Sequence, residues 1–131
     1  MERRNINPTP WLNAFNIQHG IEVKGAERML LLSGQTATSA DGSPQHPGDI
    51  VSQFALSWSN LKDALAEADM VPADIVRLNM YVTDVPAFME NAEAMVSMVA
   101  ADGCTSASTL LGVSALFEPS VMVELEATAA A

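Results

Sequence analysis

Two stretches in the C-terminal half alternate strictly between apolar and polar side chains, and this repeat limits the possible folds more than any other feature of the chain. Residues 75–83 set Val76, Leu78, Met80 and Val82 against Arg77, Asn79, Tyr81 and Thr83. Residues 121–128 set Val121, Val123, Leu125 and Ala127 against Met122, Glu124, Glu126 and Thr128. A two-residue period sends successive side chains to opposite faces of a strand, so each stretch should have one core face and one polar face. Residues 16–23 repeat the pattern, with Ile17, His19, Ile21 and Val23 on one side. The turn Lys24-Gly25-Ala26-Glu27 then predicts a hairpin whose returning strand is residues 29–33, and residues 109–113 are a further β-prone run.

Between the strands lie two amphipathic helical segments. Asp49 is a good N-cap, and after it Val51, Phe54, Trp58, Leu61, Leu65 and Ala68 recur at steps of three and four, opposite Ser52, Gln53, Lys62, Asp63 and Glu67, which mark the solvent side. Asp84 and Pro86 open the second helix, with Phe88, Ala92, Met95 and Val99 on one stripe and Gly103 as its stop. Residues 37–48, rich in Ser, Asp, Gly and Pro, form one long surface loop. The order is ββαβαββ, a single α+β domain over residues 1–131. Two helices can cover only one face of such a sheet, so the other must meet water or a second subunit. That face mixes Glu22, Arg77, Asn79, Tyr81, Glu124 and Glu126 with Met122, too polar for a monomer core and too apolar for a free surface, which favours self-association.

Charge and cysteine content narrow the function classes. Six basic and 16 acidic residues give a net charge of −10, and from Leu78 to Ala131 there is no Lys, Arg or His. Neutralising nucleic-acid phosphates needs clustered cations, so no nucleic-acid partner is expected. No apolar run approaches the roughly 20 residues that span a bilayer. Residues 1–10 follow two arginines with polar residues and prolines, so neither export nor a membrane is expected. A lone cysteine, Cys104, makes no internal disulfide, which suits a reduced, cytoplasmic setting.

The candidate chemistry is sparse. His19 and His46 lack metal-type spacing, no glycine-rich phosphate loop occurs, and Cys104 has no cation near it in sequence, so metal and cofactor are both expected to be none and the thiol inert. Glu124 and Glu126 point the same way from one strand. Ordinary surface charge explains them unless the strand is held at an interface, where a carboxylate could act as a general base or orient a water.

Several short motifs in order resemble the YjgF/RidA/L-PSP (endoribonuclease L-PSP) family from about residue 17 to residue 129. They are Leu32-Ser33-Gly34-Gln35, Gly48-Asp49 with Gln53, Asn60-Leu61-Lys62, Val82-Thr83-Asp84 followed by Phe88, and Val123-Glu124-Leu125-Glu126-Ala127. The resemblance implies a chorismate-mutase-like fold, two helices on one face of a mixed sheet, assembled as a homotrimer around a central β-barrel with small-metabolite clefts between subunits. Its well-studied members are deaminases that hydrolyse imines and enamines to a 2-oxo acid and ammonia, an arginine holding the substrate carboxylate.

This chain departs from that pattern where the chemistry is concentrated. The family's Ala-Arg-Thr segment corresponds to Ala107-Ser108-Thr109, so Ser108 replaces the arginine; Leu110 stands where a cysteine is expected and Ile17 where an aromatic is expected. Asn91 matches the family's asparagine only approximately, one position early, whereas Gly34 and Glu124 are retained. The resemblance therefore implies Glu124 as the catalytic candidate and Ile17, Gly34, Asn91, Ser108, Thr109 and Leu110 as ligand-binding candidates. Three functions follow: arginine-independent hydrolysis of a small imine, enamine or carbonyl compound, metabolite binding without chemistry, and the ribonuclease activity of the family's older name, which the charge opposes.

Overall fold

The computed structural model describes residues 1–131. Seven strands and three helices follow in order: β1 (Glu2–Ile6), β2 (Ile17–Gln18), β3 (Gly20–Lys24), β4 (Met29–Leu31), α1 (Ile50–Glu67), β5 (Ile75–Val82), α2 (Val85–Glu90), α3 (Ala92–Ala101), β6 (Ser106–Gly112) and β7 (Val123–Ala130). The main sheet is mixed, in the order β2-β6-β5-β7-β4, with β6 parallel to its neighbours β2 and β5, and β7 antiparallel to its neighbours β5 and β4. The mixed α+β architecture anticipated from the alternating strands is present.

Its inner face is built by the two-residue repeat. Leu78 and Val82 on β5 and Val123, Leu125 and Ala127 on β7 are buried against Phe54, Trp58, Leu61 and Leu65 of α1. Each large apolar side chain so buried contributes about 1.5–3 kcal/mol. Asp49 caps α1 by accepting from Ser52 N at 3.0 Å, and Asp84 caps α2 by accepting from Ala87 N at 3.0 Å. Trp58 Nε1 and Lys62 Nζ both donate to Asp102 Oδ2, tying α1 to the end of α3. These bonds, Lys62's first, hold the Asp102 carboxyl below its ordinary range.

Four expectations need correction. The strand at residues 16–23 is interrupted at His19, and its halves join different sheets: β2 extends the main sheet, while β3 pairs with β1. The expected hairpin does not form. Gly25 turns at φ +67°, but β4 pairs with β7 rather than with β3, in the register Met29↔Ala130. Alternation specifies a strand's face, not its partner, and β3's partner comes from the N-terminus. Arg3 anchors that N-terminal strand by donating to the carbonyls of Ala73 and Thr105.

The second helix is split at Asn91, whose Nδ2 donates back to Ala87 O at 2.8 Å and so competes with the helical ladder. Gln53, placed above on the solvent side of α1, is 1 % exposed. Its Nε2 donates to His46 O (3.0 Å) and Ser120 O (2.8 Å), and its Oε1 accepts from Met122 N (2.8 Å). The amide thus satisfies the backbone of the segment entering β7. Replacing Gln53 with Leu leaves those groups unpaired and should cost roughly 2–4 kcal/mol in chemical denaturation, with no change in helix content.

Candidate functional site

The side chains able to bind or transform a ligand divide between the two faces of the main sheet. On the helix side, the repeat in β6 directs Ser106, Ser108 and Leu110 inward beside Leu78 and Met80 of β5. Phe54 and Phe88, with ring centroids 6.3 Å apart, stand behind them. A 3₁₀ turn, Trp11–Phe15, closes over the top. These elements enclose a cavity of about 240 Å³ with no Lys, Arg, His, Asp or Glu in its wall. Its polar floor is a hydroxyl pair, Ser106 Oγ and Ser108 Oγ, 2.9 Å apart.

Ile17, Ser108 and Leu110, three of the ligand candidates, meet in this cavity. Asn91 does not line it, because its amide is occupied on Ala87. Cys104 lies just below on the same face of β6, and burial pushes its thiol up to about 11, only partly offset by the Ser106 hydroxyl. It is therefore protonated at neutral pH and a poor nucleophile.

On the opposite face the side chains are polar and mostly committed to one another. Arg77 Nη2 donates to Thr109 Oγ1 at 2.6 Å, so Thr109, another candidate, is turned away from the cavity. Asn79 Nδ2 and Tyr81 OH both donate to Glu126 Oε1, at 3.0 and 3.1 Å. The bond to Glu126 is the main reason the Tyr81 phenol is raised above its ordinary value, which keeps it a proton donor. Asn79 Oδ1 is the one buried side-chain polar atom without a partner.

Glu124 pairs across the strands with Tyr81, yet no side chain or backbone donor in its own chain bonds its carboxylate. Beyond β4 the chain continues along β7, with Gln35 N donating to Leu125 O and Leu125 N to Gln35 O. Gly34 is thereby laid against the Glu124 side chain. A Cβ there would stand 2.6 Å from Glu124 Cδ and 2.8 Å from Cγ. One chain therefore keeps the candidates in two sets: Ile17, Ser108 and Leu110 in the cavity, and Gly34, Thr109 and Glu124 on the other face. Within one chain Ser108 and Glu124 stand on opposite faces, because Ser108 is in register with Leu78 and Leu78 with Ala127, whereas Glu124 belongs to the alternate set of β7 side chains. Met29, Leu31 and Leu111, on the Glu124 face, are 70 %, 74 % and 49 % exposed.

Trp11, Leu12 and Phe15 are cavity residues that the motif reading missed. Their signal was present: a cluster of large apolar residues between Pro10 and Asn16 that no helical or strand period absorbs. No group of three His, Cys, Asp or Glu side chains is placed to hold a metal ion, and no helix is long and apolar enough to cross a membrane. Gly34→Ala should shift the melting free energy by less than about 1 kcal/mol, since the flexible Glu124 can give way. A crystal structure of that variant should nonetheless show the Glu124 carboxylate displaced from the Gly34 backbone.

The family model for endoribonuclease L-PSP matches residues 16–131. Among solved structures, a protein of unknown function from Yersinia pestis, YyfB of the conserved Rid family, is 35% identical over 100% of both chains, with a TM-score of 0.87. Yeast YEO7 is 25% identical over 86% of this chain and 85% of its own, with a TM-score of 0.66. The Escherichia coli YjgF gene product is 24% identical over 86% of each chain, with a TM-score of 0.70, and shares the fold. No curated protein matches the chain.

Proposed function

We propose that this chain, which belongs to the endoribonuclease L-PSP (YjgF/Rid) family, works in the cytoplasm as a homotrimer whose inter-subunit clefts hydrolyse a small imine, enamine or related carbonyl compound without the usual arginine. The observation that carries the proposal is the state of Glu124. Glu126 is committed to Asn79 and Tyr81, whereas Glu124 lies against Gly34 with no donor of its own. Met29, Leu31 and Leu111 are exposed on the same sheet face, a surface suited to a second copy. A neighbour docked there would set its own cavity, with Ser108 and Leu110, against this Glu124.

In that cleft Glu124 positions a water and takes its proton as the oxygen adds to the C=N carbon. Glu124 returns that proton to the nitrogen to complete the carbinolamine, and the carbinolamine's hydroxyl proton then passes, through the same carboxylate, to the nitrogen as the C–N bond breaks, releasing ammonia and a carbonyl product. Water supplies the oxygen, so no oxidant or cofactor is consumed. Gly34 keeps the backbone low enough for the carboxylate to lie flat, and the Ser108 hydroxyl can donate to the substrate or accept from it.

Two other readings are weaker. A binding-only cleft would share every feature except dependence of turnover on Glu124. A ribonuclease would need a cation-lined groove, but Arg4 is paired with Glu22 at 3.0 Å and Arg3 is spent on backbone carbonyls. The net charge of −10 adds a repulsion for polyanions.

Sedimentation at micromolar concentration should give three times the 13.9 kDa chain mass; only monomer would overturn the assembly. Imines generated in situ by an amine oxidase should be hydrolysed faster with the protein present, and Glu124→Gln should lose about 100-fold of that rate while remaining trimeric. Equal rates for the two would leave the binding-only reading. Towards 2-aminoacrylate the wild type should be weaker than an arginine-bearing relative by roughly 30-fold or more, the equivalent of a lost charge-assisted contact.

A further inference from the structure

We infer that the cavity beneath the 3₁₀ turn takes an uncharged ligand with an aromatic or branched apolar body and a single carbonyl or hydroxyl group, and that it rejects carboxylates. The inference names the substrate class for the cleft proposed above and rests on that reading. Fourteen of the 17 lining residues are hydrophobic, and the other three are Asn16, Ser106 and Ser108. Asn16 Nδ2 donates to Cys104 O at 2.8 Å and the Asn16 backbone carbonyl accepts from Thr105 Oγ1 at 3.0 Å, so what its side chain chiefly offers a ligand is the acceptor Oδ1, which does not attract a carboxylate. The two serine side chains are the only hydroxyls in the wall. One of their hydrogens is consumed in the bond between them, which leaves a polar point for one ligand oxygen.

The charges around the cavity point the same way. No titratable side chain lines it. Arg77, a conceivable counter-ion, is on the other sheet face bonded to Thr109, and Arg3 is held by the carbonyls of Ala73 and Thr105. A carboxylate entering here would lose its water without gaining a cation, and a neighbour's Glu124 would add repulsion. Size sets the body of the ligand: a dry apolar cavity of roughly 150 Å³ holds benzene, so about 240 Å³ suits roughly ten non-hydrogen atoms.

The roof lies outside the matched family segment. Trp11, Leu12 and Phe15 precede residue 16, where the family match begins. Trp11 packs edge-on against Phe15 and His19, at 6.3 and 6.1 Å, and remains 62 % exposed at the mouth. An aromatic ligand would meet its ring on entering. Trp58, the other tryptophan, is buried on Asp102 outside the cavity, so Trp11 emission can report occupancy separately.

The test is calorimetry and tryptophan fluorescence on the full chain with a matched pair of probes, 1-phenylpropan-2-one and phenylpyruvate, which differ in carrying a methyl group or a carboxylate on the same ketone. The neutral ketone should bind at least tenfold tighter, and the emission change should saturate with the same constant and vanish in Trp11→Phe. Ser108→Val, close in size, should weaken the ketone about fivefold by removing one neutral hydrogen bond. Ser108→Arg should reverse the preference in favour of phenylpyruvate. Phenylpyruvate binding as tightly as the ketone to the wild type, no ketone binding at millimolar concentration, or an unchanged constant in Ser108→Val would each overturn the inference. Binding is read without turnover, so the two proposals fail separately. Ketone binding with a fully active Glu124→Gln sinks the hydrolytic mechanism alone, and a Glu124-dependent hydrolysis without ketone binding sinks the ligand class alone.

Discussion

The two-residue repeat shared by β5, β6 and β7 is the constraint on which the rest of the molecule depends. Because paired strands keep their side chains in register, one sheet acquires two chemically distinct faces. Leu78, Val82, Leu125 and Ala127 go to the helices, while Arg77, Asn79, Tyr81, Glu124 and Glu126 go to the other side. A slip of one residue would exchange the two sets and bury the carboxylates under α1. The same rule puts Ser108 and Glu124 on opposite faces, so the ligand pocket and the free carboxylate can meet only when one chain contributes the first and another the second. Met29, Leu31 and Leu111 are exposed on the Glu124 face.

What the sequence made legible follows from which physical signals are local. Periodicity located the central strands, the inner stripe of α1 and the caps at Asp49 and Asp84, because each depends on neighbours within a turn or two. Partners were not legible. Nothing in residues 20–24 distinguishes pairing with residues 29–31 from pairing with residues 2–6, and the strand that pairs is the one Arg3 also ties to the carbonyls of Ala73 and Thr105. Gln53 reads as a solvent-facing helix residue by its period, yet it is buried with its amide bonded to His46 O just before the helix and to two backbone groups distant in sequence, Ser120 O and Met122 N. Family resemblance carried information that periodicity lacks, since Gly34 and Glu124, 90 positions apart, are in contact. The aromatic roof at residues 11–15 was legible only as an unexplained apolar cluster.

Replacing the expected arginine with Ser108 changes more than one contact. A guanidinium in the cavity would need partners for its five donors, and the present wall supplies two hydroxyls, the Asn16 amide and otherwise apolar side chains, with no carboxylate. The wall and the missing cation are mutually consistent, as is Leu110 where a cysteine is expected. Arg77 is no substitute, since its strand position directs it to Thr109 on the far face. The fold's stability is separate from this divergence. The packing of α1 on β5 and β7 and the Gln53 bridge to the β7 approach do not involve Ser108.

The most direct test of the composite cleft is a crystal structure of the assembled protein, read for one distance: from the Glu124 carboxylate of one subunit to the Ser108 hydroxyl of its neighbour. The account predicts a gap that one small ligand or a ligand and a water can span, roughly 5–8 Å, with Gly34 of the same subunit as Glu124 on its edge. A Glu124 directed at solvent or at the symmetry axis, far from every neighbour's cavity, would contradict it.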